Sequence, residues 1–122
     1  MQYRTYVGCA SPLPLQYAAA VAWADQSHVE VFRQKYIRNF EFAREILGID
    51  APEATFYIWL AVEDEIAFTI KLYREYNLKV IPGSYLGREG QGEGFIRLAL
   101  VYEEALTREA LERVKMMIGE EA

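Results

Sequence analysis

Near the C-terminal end, Phe95-Ile96-Arg97-Leu98-Ala99-Leu100-Val101 is apolar at every position but one. Such a run predicts a strand buried on both faces, because neither alternating set of side chains suits water. Alternation puts Phe95, Arg97, Ala99 and Val101 on one face and Ile96, Leu98 and Leu100 on the other. Burying a guanidinium without a partner costs on the order of several kcal/mol, so a fixed acid, a ligand anion or solvent must satisfy it. The planar fork of arginine suits a carboxylate, since it donates two parallel hydrogen bonds that orient the ligand as well as hold it. From the residues alone three readings of Arg97 stay open: a structural salt bridge, an edge-strand arginine reaching water, and an anchor for an anionic ligand.

A second run, Thr55-Phe56-Tyr57-Ile58-Trp59-Leu60-Ala61-Val62, is β-branched, aromatic or apolar on both alternating faces, which predicts a central strand covered on two sides. Glu63, Asp64 and Glu65 then place negative charge at the start of a helix that runs to about Tyr76. Its expected buried face is Ile66, Ile70 and Tyr73. No histidine or further acid stands at ligand spacing from this acidic triplet, so a metal site is not expected there. Asn77 to Ile81 reads as a helix exit feeding a short strand that Pro82-Gly83 ends. Gly87, Gly90, Gly92 and Gly94 lack the terminal Gly-Lys-Ser/Thr of a phosphate cradle and run into a strand, so a flexible connection is expected.

Upstream, Met1 to Gly8 has no helical period and reads as extended or loose, like a chain cut from something longer. Ser11-Pro12-Leu13-Pro14 opens a helix through Gln16 to Ala24 that is apolar on most of its circumference and so expects cover on several sides. A break is predicted near 25–27, with Ser27 as N-cap and Glu30 bonding back to it. A second, nearly continuous helix carries Val29, Phe32, Tyr36, Phe40, Ala43 and Leu47 at steps of three and four, and Gly48 stands where a left-handed residue ends it. His28, the only histidine, reads as a solvated helix-start residue. At the C-terminal end Thr107 is the expected cap of a last helix, Leu106 and Leu111 its staple, and Ala110, Val114 and Ile118 its buried stripe. The order is a long N-terminal helix broken near 25–27, then β-α-β-β-α. This implies an α/β or α+β sandwich, a small sheet with helices on one face.

With 122 residues, 52% of them hydrophobic, the chain can bury a core of one domain. Its formal charge of -5, with acids and bases interspersed, disfavours nucleic-acid binding. Cys9 is the only cysteine and reads as a small buried residue, which fits a reducing compartment. No run is long enough to span a membrane and no secretory signal is evident, so a cytoplasmic location is expected.

Several of these segments, in this order, resemble the C-terminal part of a class I/II (fold type I) PLP-dependent aminotransferase. Tyr3-Arg4-Thr5-Tyr6, Gly8-Cys9-Ala10 and Leu13-Pro14-Leu15-Gln16 are similar to the stretch that passes from the large domain into the interdomain helix. Thr55-Phe56-Tyr57-Ile58-Trp59 resembles a strand the family writes Gly-Gly-Phe-Tyr-x-Trp, with Ala54-Thr55 in place of the usual small pair. Val80-Ile81-Pro82-Gly83-Ser84-Tyr85-Leu86-Gly87 and Ile96-Arg97-Leu98-Ala99 resemble the two strands that end the small domain. The wording is most similar to the succinyldiaminopimelate aminotransferase branch, which belongs to lysine biosynthesis.

The resemblance implies amino-group transfer through PLP between an amino acid, glutamate being expected, and a 2-oxo acid. It implies that Arg97 binds the substrate α-carboxylate and that Phe56 lines the same pocket. None of Lys35, Lys71, Lys79 and Lys115 lies in the family's Ser-Lys motif. No catalytic, cofactor-binding or metal residue is therefore expected in this chain, nor bound PLP, nor activity by the chain alone. Residues 1–27 would be a remnant of the large domain with the first part of the interdomain helix, and 28–122 the small domain. Met1 would mark a truncated reading frame or an artificial boundary. The implied partners are amino-acid and 2-oxo-acid substrates, the missing large domain, and a second copy joined through the N-terminal helix, with no nucleic acid and no membrane. The alternative reading is a stand-alone ligand-binding or oligomerisation module without catalysis.

Overall fold

A computed structural model describes Gly8 and residues 10–121 of the chain, so the expectations for Cys9 and for Tyr3 to Tyr6 lie outside the described residues. Two compact units are distinguished, Met1–Phe32 and Arg33–Ala122.

In the first unit, helix α1 spans Leu13–Ala24, opened by Pro12, whose carbonyl accepts from the amides of Leu15 and Gln16. Prolines suit this end because the first turn has no intrahelical use for their missing N–H. None of its residues is buried, and Trp23 is 82% exposed. Helix α2, Ser27–Leu47, begins after the expected break. Its cap differs from the expected one: the Asp25 carboxylate accepts from both the Ser27 amide (2.9 Å) and the Ser27 hydroxyl (2.6 Å). A carboxylate two residues ahead outcompetes the serine hydroxyl as acceptor, being charged. His28 is exposed, with Nδ1 3.9 Å from the same Asp25 carboxylate.

The second unit takes the rest of α2, then β1 (Tyr57–Ala61), α3 (Glu65–Tyr76), β2 (Ile81–Pro82), a short 3-10 turn (Gly83–Tyr85), β3 (Phe95–Ala99) and α4 (Glu104–Glu121). The three strands are antiparallel in the order β1-β3-β2. One sheet face, carrying Ile58, Ile96, Leu98 and the following Leu100, is buried with Phe40, Ala43 and Ile46 of α2, Phe68 and Leu72 of α3, and Leu111, Val114 and Met117 of α4. Within this unit the helical cover is therefore on that face, as the element order implied. Asn39 on α2 is fully buried and donates through Nδ2 to the carbonyls of Leu100 and Tyr102 at 2.9 Å each, tying the helix to the chain leaving β3. Gly48 ends α2 with φ +69°, the left-handed conformation that glycine enters without steric cost.

Four expectations are corrected. The central strand is β3, whereas β1 lies at an edge. Both runs that read as covered on two faces are packed on one only: Trp59 and Phe95 are 47% and 41% exposed. In α3 the buried residues are Glu65, Phe68 and Leu72, while Ile66, Ile70 and Tyr73 face outward. That helix is apolar on two sides, so periodicity could not say which side meets the sheet. In α4 the helix starts at Glu104, and Thr107 lies inside it, buried, its hydroxyl donating to the Tyr102 carbonyl. The buried stripe is accordingly Thr107, Leu111, Val114 and Met117, with Leu106 and Ile118 exposed.

The orientation of α3 predicts an asymmetry in stability. Leu72→Ala removes a side chain with no exposed surface and should lower the unfolding free energy by about 2–5 kcal/mol. Ile70→Ala, at a position 45% exposed, should change it by less than about 1 kcal/mol in the same urea titration.

Candidate functional site

The uncovered sheet face is where Arg97 stands. On β3 it is in register with Trp59 of β1 on one side and Ile81 of β2 on the other, and Phe95 and Ala99 share its face. It is half-buried. Among the described residues no carboxylate is within ion-pair distance of it. A close partner is the ring of Tyr57, whose centroid lies 4.1 Å from the guanidinium carbon. This contact is diagonal across the β1·β3 ladder, since Tyr57 is opposite Ala99, and aromatic side chains span that distance. A ring engages the flat face of a guanidinium, whereas hydrogen bonds leave along its edge. The N–H fork is thus held in place without its donors being consumed.

Phe56 precedes β1, and its ring centroid is 5.6 Å from that of Tyr36 on α2 and 4.4 Å from that of Tyr57. An aromatic row therefore runs from the helix to the ring beneath Arg97, and Phe56 reaches the arginine through Tyr57. Thr55, just before it, has φ +86°. A β-branched residue in this region carries strain on the order of 1–3 kcal/mol. Its hydroxyl oxygen faces the Tyr57 amide at 3.4 Å across the turn that launches the aromatic pair.

The other flank is built by close backbone approach. A Cβ on Gly83 would lie 2.1 Å from the Gly92 carbonyl oxygen and 2.9 Å from the Trp59 ring, so only hydrogen fits there. The glycine-rich stretch is accordingly a chain of turns, closed by the bonds Leu86 N–H to Gly83 O, Gln91 N–H to Arg88 O and Glu93 N–H to Gly90 O. Glu65 pins its exit. The carboxylate, at the first turn of α3, is buried and accepts from the Gly94 amide at 3.0 Å, immediately before β3 begins. That bond, the first-turn amide of Glu65 itself and the Ser84 hydroxyl hold its pKa below the ordinary glutamate range against an opposing desolvation. Asp64 caps the same helix, accepting from the amides of Ile66 and Ala67. The acidic triplet thus supplies helix caps and a loop clamp, and among the described residues no group of His, Cys, Asp and Glu is placed to hold a metal ion.

Other chemical side chains lie elsewhere. None of the four lysines is buried, and Lys35 and Lys71 pair with Glu103 and Glu120. A cavity of about 390 Å³ opens between α4 and the segment before β2, lined by Leu78, Val80, Leu98, Leu100, Leu111 and Val114. Of its two lining cations, Arg113 is already bonded to Glu109 and the Tyr76 carbonyl, and Lys79 is exposed rather than aimed into an apolar enclosure. The candidate site is therefore Arg97 and its surroundings, outside that cavity. Tyr57 and Glu65 were missed in the sequence. Period-two spacing does put Tyr57 and Trp59 on one face, but only the strand register brings that face beside Arg97.

The family model for aminotransferase class I and II matches residues 2–114. An LL-diaminopimelate aminotransferase of Syntrophobacter fumaroxidans is 37% identical over 113 residues, covering 80% of this chain and 29% of the relative. One from Natranaerobius thermophilus is 29% identical over 122 residues, covering 93% and 31%. Among solved structures, an aminotransferase from Neisseria meningitidis superposes with TM-score 0.83 at 38% identity, covering 95% of this chain and 32% of its own. Aminotransferase AspB from Helicobacter pylori gives 0.82 at 34% identity, covering 95% and 31%. The chain spans about a third of the length of these relatives.

Because the Glu65 pKa is depressed in the fold, its contribution to stability is present above the unfolded-state value of about 4.3 and is lost as pH falls through the lower folded value. Acid titration of stability should therefore decline below about pH 5, and Glu65→Gln should flatten that decline, as read by the denaturation midpoint against pH.

Proposed function

Because the chain belongs to the aminotransferase class I and II family, we propose that it is the small, C-terminal domain of a longer transaminase and that Arg97 holds the substrate α-carboxylate. Residues 1–27 would then be the end of the large domain with the first part of the interdomain helix, and 28–122 the small domain. The observation that carries this reading is the unpaired edge of Arg97, a permanent fork with no acid beside it among the described residues, fixed on an otherwise apolar sheet face. An amino acid and the 2-oxo acid made from it share one carboxylate. A single immobile fork can therefore hold both partners of the transfer in turn, orienting the reacting carbon without taking part in the bond changes. Phe56, behind Tyr57, would border the same pocket. The names of the relatives favour a diaminopimelate-type substrate, and the sequence resemblance would add glutamate as the amino-group partner and a place in lysine biosynthesis.

Pyridoxal phosphate supplies the carbanion-stabilising chemistry in this family. The described residues do not fit it: no lysine is buried beside Arg97, and Lys35 and Lys71 are ion-paired. The cofactor would be held by the remainder of the longer enzyme, and this chain alone would be inactive. The uncovered sheet face and the apolar, exposed α1 would be the surfaces that meet that remainder.

Titration of the chain with glutamate or 2-oxoglutarate should show saturable binding that Arg97→Lys weakens about ten- to a hundredfold, the loss of a charge-assisted bidentate contact. Added pyridoxal phosphate should give no absorption band of a lysine-bound cofactor. Unchanged binding in the lysine variant, or a band abolished by replacing one lysine, would overturn the reading. Sedimentation should also reveal self-association driven by the exposed apolar α1, abolished by Val21→Asp with Trp23→Asp. A monomer at high concentration would refute a role for α1 in pairing.

A further inference from the structure

The geometry points to Tyr57 as the positioning residue for Arg97, a role resting on the reading of Arg97 as the carboxylate anchor. An arginine on an open strand face has several rotatable bonds and would ordinarily sample many orientations. Here the guanidinium carbon lies over the Tyr57 ring, 4.1 Å from its centroid, a separation that suits a ring against the flat face of the group. An acidic partner would fix the side chain equally well, but would occupy the donors that a ligand needs. A ring fixes the plane and leaves the edge free.

The ring is itself held. Phe56 contacts it at 4.4 Å and is contacted in turn by Tyr36 from α2 at 5.6 Å. Thr55 carries the left-handed turn at φ +86° that brings the aromatic pair into this arrangement. Trp59 and Ile81, in register on either side of Arg97, restrict its approach laterally. The fork can then present its donors along one plane only, which selects a planar carboxylate over other anions of equal charge. The aromatic hydroxyl is not needed for this, so the ring and not the phenol is the working part.

The test combines two readouts on the whole chain. In the ligand-free protein, the Arg97 Nε–H proton resonance should be displaced upfield by the ring current. It should stay displaced in Tyr57→Phe and move to the position of a solvated arginine in Tyr57→Leu. Binding of 2-oxoglutarate should weaken about 2- to 30-fold in Tyr57→Leu and remain within about twofold in Tyr57→Phe, the range expected for a cation-π contact. Inorganic sulfate should lose little, since it does not depend on the plane of the fork. If Arg97→Lys abolishes binding while Tyr57→Leu leaves it unchanged, Tyr57 has no positioning role and the reading of Arg97 stands. If Arg97→Lys leaves binding intact, the anchor itself fails. Should Tyr57→Leu not fold, the resonance of the unsubstituted chain decides, and an undisplaced Arg97 signal would overturn the inference.

Discussion

A guanidinium that has, among the described residues, no acid beside it and an aromatic ring beneath it imposes two conditions on everything around. The sheet face that carries Arg97 must stay free of internal carboxylates, and the ring must be fixed firmly enough to orient a mobile side chain. Both conditions are met by apolar residues. On the strand positions of that face, Tyr57, Trp59, Ala61, Ile81, Phe95 and Ala99 carry no charge. Acids that the structure does engage lie elsewhere: Glu103, Glu104 and Glu45 pair with helix cations, and Glu65 accepts from backbone.

The position of β3 follows from constraints that converge on its two ends. At its start, Glu65 bonds the Gly94 amide, and Val62 donates to the Gly94 carbonyl, so one residue is gripped from both sides. Beyond its end, Asn39 takes the carbonyls of Leu100 and Tyr102, and the Leu100 amide donates to Phe56. Buried polar groups of this kind stabilise one register over its neighbours, since a slip of one residue would strand them without partners and reverse the faces. Arg97 is at the midpoint of the segment so fixed.

How far this was legible in the sequence depended on whether a signal was local. The strands, the helix break near Asp25 and the left-handed Gly48 were readable because each rests on neighbours a few residues away. The phase of α3 was not, because Ile66, Ile70 and Tyr73 compete with Phe68 and Leu72 for the core, and only the sheet decides between them. The start of α4 was misplaced for a related reason. Thr107 has the chemistry of a cap, but its hydroxyl finds the Tyr102 carbonyl from inside the helix. Arg97 stood out as one charge in an apolar run. Tyr57 did not, because nothing in an aromatic strand marks the one ring that lies diagonally across a ladder from a cation.

The strands also carry information about what lies outside them. Thr55 to Val62 and Phe95 to Val101 are apolar on both alternating faces, a pattern suited to a sheet covered twice, yet helices cover one face only. Large side chains such as Trp59 and Phe95, nearly half exposed, gain nothing from water. The mismatch has a consistent resolution if the chain, about a third of the length of its relatives, meets the rest of a longer enzyme through this face. Covering it would exclude water from around Arg97. It would also strengthen each hydrogen bond that the fork makes to a carboxylate, because the same contact is worth more at lower dielectric. A face left open in the isolated domain would then be the condition for a strong anion site in the assembled one.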